Sequence, residues 1–154
     1  MPAQRVRIDK ASPRIYKQLI AVSAEVAAAA EEAGISRGVI ELVNLRCSQL
    51  NGCAFCLNLH AQAARAAGVS DQQLDVLPAW REAPGLFDDL ERAALEIAEL
   101  VTALPPHHAA DIAYDRATDV LDERQTSVLI WAAVTINAFN RVSVVSGYEV
   151  RHRG

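Results

Sequence analysis

From Asp122 the chain reads Asp-Glu-Arg-Gln-Thr-Ser-Val-Leu-Ile-Trp-Ala-Ala-Val-Thr-Ile-Asn-Ala-Phe-Asn-Arg. Asp122 is a helix-capping residue, and no glycine or proline interrupts the run before Gly147. The segment Glu123 to about Val145 is therefore the last and longest helix. Its middle, Val128 to Ala138, is apolar on nearly every face. A helix of that kind is covered all round, inside a bundle or in a contact between subunits. The other elements must be able to surround it.

The upstream sequence supplies such elements. Ser12-Pro13 opens a helix with a hydroxyl cap and proline in the first turn, and Ile15, Leu19, Val22 and Val26 recur at helical spacing up to Gly34. Ser36 caps a second helix, which Asn51-Gly52 ends, because both residues tolerate the left-handed conformation. A third helix is expected to start at once with Cys53 and run to Gly68. Ser70-Asp-Gln-Gln73 is a capping box for a short fourth helix interrupted by Pro78, and Asp88-Asp-Leu-Glu91 opens a fifth that runs through Leu104. Pro105-Pro106 stops it, and a weaker helix spans about His108 to Ala117. No strand pattern competes. The expected fold class is all-α, a compact helical bundle of about six to seven helices, with residues 1–11 as an extended arm and the charged tail 147–154 frayed.

Composition narrows the functions. The formal net charge is −4 and no basic stripe is present, so sequence-independent phosphate binding is not expected and nucleic acid is not an expected partner. Residues 1–10 alternate charged and apolar side chains, unlike a secretory signal. The alanine run Ala27 to Ala30 is flanked by Glu25, Glu31 and Glu32, which excludes it as a membrane span. All three cysteines, Cys47, Cys53 and Cys56, fall within ten residues. Such a cluster suits catalysis or metal binding better than a secreted disulfide framework, and the expected compartment is cytoplasmic, with no membrane partner.

The chemistry concentrates between Glu41 and His60. On a helix beginning at Cys53, the residues Cys53, Cys56 and His60 stand at i, i+3 and i+7, on one face. A thiol with a pKa near 8.5 is only about 3% thiolate at pH 7. Lowering that pKa to about 7 takes roughly 2 kcal/mol of preferential anion stabilisation, at about 1.4 kcal/mol per unit. A helix N-terminus contributes about 0.3 to 1 kcal/mol at an exposed site and up to about 2 in a buried one, so a second stabiliser is expected. His60, one turn beyond Cys56, can take the thiol proton and remain as an imidazolium. Glu41 lies in the otherwise apolar run Val39-Ile-Glu-Leu-Val43. It is either on a solvated face or buried, and a buried carboxylate needs a partner. A bend at Asn51-Gly52 would fold the second helix against the third and bring Glu41 toward His60.

This spacing, Glu41 followed by eleven residues, Cys53-x-x-Cys56, three residues and His60, resembles the alkylhydroperoxidase AhpD-like family of the carboxymuconolactone decarboxylase superfamily. Leu45-Arg-Cys-Ser-Gln-Leu-Asn-Gly-Cys-Ala-Phe-Cys56 is similar to the family core, and Ile136-Asn-Ala-Phe-Asn-Arg141 resembles a closing-helix motif of its small members. The resemblance implies a single AhpD-like domain over residues 1–154, with its core at about 15–145, assembled into trimers or hexamers. It also implies a peroxidase in which Cys56 is the peroxidatic thiol, Cys53 the resolving thiol, and Glu41 with His60 the proton relay. The implied partners are a hydroperoxide substrate and an external dithiol or thiol-protein reductant, with no cofactor. The founding type of the family has a second histidine between its cysteines, where this chain has Phe55.

Other readings compete with this one. Two small cysteines can simply pack in a core. Zinc could take Cys53, Cys56 and His60 with Glu41 or Cys47, but ligands along one rigid helix converge poorly on a tetrahedral point, and no metal is expected. A non-enzymatic redox-sensing or structural oligomer, or a decarboxylase-like small-molecule enzyme on the same fold, are the alternatives in function. Cys47 is expected to pack within the second helix, and Trp131 and Phe139 in the core or an interface. His107 and His108 belong at the surface or a helix start. Asn137, Asn140 and Arg141 are read as a structural polar network.

Overall fold

A computed structural model of the chain describes residues 4–154, and among them every regular element is helical. The helices are α1 (Ile8–Ala11), α2 (Pro13–Glu32), α3 (Arg37–Leu50), α4 (Ala54–Ala66), α5 (Asp71–Val76), α6 (Asp89–Ala103), α7 (His107–Thr118) and α8 (Glu123–Ser146), with a 3-10 segment, Leu77–Glu82, after α5. The seven expected helices are present. The eighth is α1, a single turn within the segment expected to be an extended arm.

Local chemistry accounts for most of the boundaries. Reciprocal capping boxes start α5 at Ser70 and Gln73, α6 at Asp88 and Glu91, and α8 at Asp122 and Gln125. Ser36 Oγ accepts the Val39 amide at the head of α3. Ser12 differs from expectation. Its side chain makes no capping bond, and Pro13 at the first position carries the start of α2 alone. Pro78 tightens the chain into the 3-10 segment, which buries Leu77 and Trp80.

α8 packs against α2, α3 and α6, and α3 lies against both α4 and α6. Leu129, Ala132, Ala133 and Ile136 of α8 meet Val39, Val43 and Cys47 of α3 and Ala94, Ile97 and Ala98 of α6 in the main core. A second cluster, formed by Leu42, Leu45, Ala64, Leu77, Trp80 and Leu95, fills the space beneath α4 and the 3-10 segment. α8 is long and apolar enough to cross a membrane by length and composition, yet one side of it builds this core. The covering is incomplete, since Trp131 is 56% exposed and does not pack in the core. Phe139 does pack there, with Tyr16 of α2 edge-on to it at 6.1 Å.

The α3–α4 turn is fixed by a buried polar chain. Gly52 has φ +63°, the left-handed conformation that ends α3 and lets α4 fold back along it. Asn51 Nδ2 donates to Asn137 Oδ1 at 2.8 Å and to Asn140 Oδ1 at 2.9 Å, both on α8. Asn140 Nδ2 donates to Ser48 Oγ at 3.0 Å, and Asn137 Nδ2 to Thr102 Oγ1 on α6 at 2.9 Å. Arg141 donates to Asn137, which completes the expected network.

The described N-terminal segment and the tail, which has no regular structure, each make hydrogen bonds to the bundle. Arg5 donates to the Val144 carbonyl at 2.8 Å and the Ile8 amide to Ser146 Oγ at 3.3 Å. In the tail, Arg153 donates to the Asn58 carbonyl and to Asn58 Oδ1, at 2.8 and 2.6 Å. The first three residues of the expected arm lie outside those described. The buried network gives a first test. Replacing Asn140 with alanine removes two buried hydrogen bonds and leaves a gap, so urea unfolding should show a loss of about 2–4 kcal/mol. A loss below about 0.5 kcal/mol, the size of an ordinary surface substitution, would show that the network does not hold the turn.

Candidate active site

The turn at Gly52 places the sequence Cys53-Ala-Phe-Cys56 at the head of α4. Helix α4 begins at Ala54, not at Cys53, so Cys53 is its N-cap residue. Its Sγ accepts the Cys56 amide at 3.3 Å. The reading of three residues on one helical face thus holds for Cys56 and His60 only. The two cysteines are joined as a disulfide, with their Cα atoms 5.3 Å apart. Both are buried, Cys53 at 1% exposure and Cys56 at 3%.

Glu41 projects from the middle of α3 and is 0% exposed. Its Oε2 receives a hydrogen bond of 2.7 Å from His60 Nδ1, so the expected approach of these two side chains is realised. Asn44 Nδ2, one turn along α3, adds a longer contact of 3.4 Å to the same oxygen. Oε1 is paired with the guanidinium of Arg37, one turn earlier, without hydrogen-bond alignment. Burial pushes the Glu41 carboxyl up. The hydrogen bond and charge of His60, the charge of Arg37 and the Asn44 amide outweigh it, and the net position is below the ordinary carboxylate value. In the neutral imidazole, an ionised carboxylate facing Nδ1 keeps the hydrogen on that nitrogen and leaves Nε2 as the lone-pair nitrogen.

His60 and Cys56 line the same cavity of about 230 Å³, enclosed by α2, α3, α4 and α8. Positions i and i+4 on a helix hold their Cβ atoms about 6 Å apart. Cys53 lies off the cavity wall, so only one of the two sulfur positions faces it. Phe55 also lines the cavity and meets Tyr148 of the tail edge-on, with ring centroids 5.0 Å apart. Where the founding AhpD type carries a histidine, this chain has an aromatic wall.

The remaining candidates are placed away from this chemistry. Cys47 is fully buried in α3, its Sγ 3.6 Å from the Ala98 carbonyl oxygen, and burial pushes its thiol up to about 11. At neutral pH it is a packed, protonated thiol. His107 and His108 are exposed in the first turn of α7, and His152 is exposed in the tail. Among the described residues, no group of three or more His, Cys, Asp or Glu side chains is arranged to hold a metal ion. Sequence reading missed Arg37, Asn44 and Tyr148. The first two were open to detection, because they stand at i−4 and i+3 from Glu41 on one helix. Tyr148 carried no such signal, since the tail reaches the site by a tertiary fold-back.

Helical packing around a Cys-x-x-Cys disulfide and a buried glutamate–histidine pair defines the class of fold. The chain belongs to the carboxymuconolactone decarboxylase family, whose model matches residues 13–100. It is similar to the uncharacterized protein YdfG of Bacillus subtilis, 37% identical over 117 residues, which are 76% of this chain and 79% of that protein. It is also similar to the uncharacterized protein YnjA of Escherichia coli, 42% identical over 69 residues, 44% of this chain and 37% of that protein. The crystal structure of a protein of unknown function from Agrobacterium tumefaciens, whose name suggests an antioxidant defence protein AhpD, has the same fold. It superposes with a TM-score of 0.85 at 29% identity, covering 97% of this chain and 99% of that one. The expected AhpD-like, all-α bundle is the fold observed.

The Glu41 pairing makes a pH test. Because the folded carboxyl lies below the usual value of 4.5, its stabilisation is complete above about pH 4.5 and is lost as pH falls through the lowered folded value. Glu41→Gln cannot titrate there. The stability advantage of wild type over Glu41→Gln, followed by urea unfolding, should therefore be present at about pH 5 and shrink as pH falls below about 4.5. A difference that stays constant down to pH 3 would contradict a carboxyl held below its usual range.

Proposed function

We propose that this protein is a thiol-dependent peroxidase, a dithiol oxidoreductase that reduces hydroperoxides at Cys56. The observation that supports it most directly is that Cys56 shares the cavity wall with His60, whose Nδ1 is bound to buried Glu41, while Cys53 lies behind. The external reductant supplies the thiols needed at each turn.

In the reduced protein, His60 Nε2 takes the Cys56 proton, and Glu41 stabilises the imidazolium through Nδ1. The thiolate attacks one oxygen of the hydroperoxide. A sulfur–oxygen bond forms as the oxygen–oxygen bond breaks, and the departing alkoxide takes the imidazolium proton to leave as an alcohol. Cys56 is now a sulfenic acid. The Cys53 thiolate attacks that sulfur, forming the disulfide, and the hydroxide released is protonated to water. An external dithiol returns two electrons and two protons, and becomes a disulfide itself.

The two sulfurs have different supports. Cys53 has the α4 amide of Cys56, which favours its thiolate both as resolving nucleophile and as leaving group. Cys56 has the Glu41–His60 pair. We further propose that the chain acts as one AhpD-like domain in a homo-oligomer, trimeric or hexameric. That reading is supported by Ile15 on α2 and Trp131 on α8, large apolar side chains left open to solvent.

Purified protein supplied with excess dithiothreitol should consume an organic hydroperoxide catalytically. Cys56→Ser should abolish consumption. Cys53→Ser should form one equivalent of sulfenic acid, trapped by dimedone at residue 56. His60→Ala should lower kcat/KM by about 10²- to 10⁴-fold, the usual contribution of a positioned acid–base group. Turnover that survives Cys56→Ser, or that is unaffected by alkylation of both thiols, would remove the assignment.

A further inference from the structure

The wall of the Cys56 cavity is chemically uneven. Val26, Ile40, Leu59, Ile136 and Phe139 make most of it apolar. Among its described residues, Arg37 is the one lining side chain with a permanent charge. Arg37 is the first residue of α3, and its side chain is 60% exposed although it reaches the fully buried Glu41. It also lines a second cavity of about 510 Å³ between the end of α2 and the start of α3, where Ala27 and Ile40 are again shared walls. The guanidinium thus stands where the two cavities adjoin.

The pairing with Glu41 does not use up this group. Glu41 Oε1 contacts it without hydrogen-bond alignment, and Oε2 of the same carboxylate is committed to His60. A guanidinium carries five N–H donors in a planar fork that fits a carboxylate, and most of them remain open toward solvent and the cavity. Glu31 lines the second cavity, so that side carries a negative charge of its own, whereas the wall of the Cys56 cavity carries none among its described lining residues. A ligand site with an extended apolar wall and one placed charge orients its ligand through that charge.

We propose that the cavity takes a hydroperoxide that is also a carboxylic acid, its acid group held by Arg37 and its hydrocarbon part laid along the apolar wall toward Cys56. This deepens the peroxidase reading and rests on it for the hydroperoxide. The binding claim itself can be tested with ligands that have no oxygen–oxygen bond. Octanoate and 1-octanol share a chain length and differ in the headgroup.

Isothermal titration of the disulfide form should show octanoate binding at least tenfold more tightly than 1-octanol, with the preference reduced at high salt. Arg37→Gln should bring octanoate to within about twofold of 1-octanol while 1-octanol binding persists, and Arg37→Lys should keep part of the preference. Equal binding of the two ligands to the wild type, no octanoate binding, or an undiminished preference in Arg37→Gln would overturn the proposal. Should Arg37→Gln not fold, the wild-type comparison with its salt dependence decides alone. Hydroperoxide turnover, measured separately, distinguishes the two claims. Selective octanoate binding without turnover would remove the peroxidase reading and keep the site. Turnover without selectivity would do the reverse.

Discussion

A carboxylate with no access to water must be matched by donors and positive charge, or it is lost as an ion. Glu41 is such a group, and α3 and α4 are arranged around it. One of its oxygens meets Arg37 of α3 and the other reaches across to His60 of α4. The second contact crosses between helices, so it orients an imidazole as well as satisfying an acid. A neutral histidine in that position is held in one tautomer, with its other nitrogen free of Glu41. On the proposed reading, the buried acid serves folding and chemistry at once.

That contact depends on how sharply the chain reverses between the two helices. Gly52 supplies the reversal, and Asn51 ties it to α8 through Asn137 and Asn140. The apolar core holds α3 against α6 and α8 without fixing rotation or register as tightly as directional hydrogen bonds do. The polar chain adds that direction. It also explains why α8, apolar along most of its length, carries two asparagines toward its end. At the reversal the two cysteines acquire different surroundings, one at a helix N-terminus and off the cavity, the other inside the first turn and facing it. Two sulfurs that differ in this way suit sequential roles.

Much of this was legible in the sequence because it rests on local patterns. The caps at Ser70, Asp88 and Asp122 are short-range hydrogen-bond motifs and appear where the residues promised. The break at Asn51-Gly52 and the one-turn spacing of Cys56 and His60 are local as well. Glu41 could be singled out by its apolar neighbours, although they left its burial undecided. The misses differ in cause. Arg37 was not singled out, although its place one turn before Glu41 on the same helix is a local signal. The tail from Tyr148 to Arg153 reads as a charged terminus, yet it returns to α4 through Asn58 and Phe55, contacts that no local pattern encodes. Trp131 was read as core or interface because its helix is apolar all round, and only packing showed which side was left open.

The central claim is that an imidazole backed by a buried carboxylate makes one sulfur of the pair unusually acidic. The direct measurement is the iodoacetamide alkylation rate of Cys56 against pH in the reduced protein with Cys53→Ser, with and without His60→Ala. The account predicts a reactive thiolate with an apparent pKa near or below 7, moved up toward the free-thiol value of about 8.5 when His60 is removed. A Cys56 that titrates near 8.5 in both proteins would contradict it.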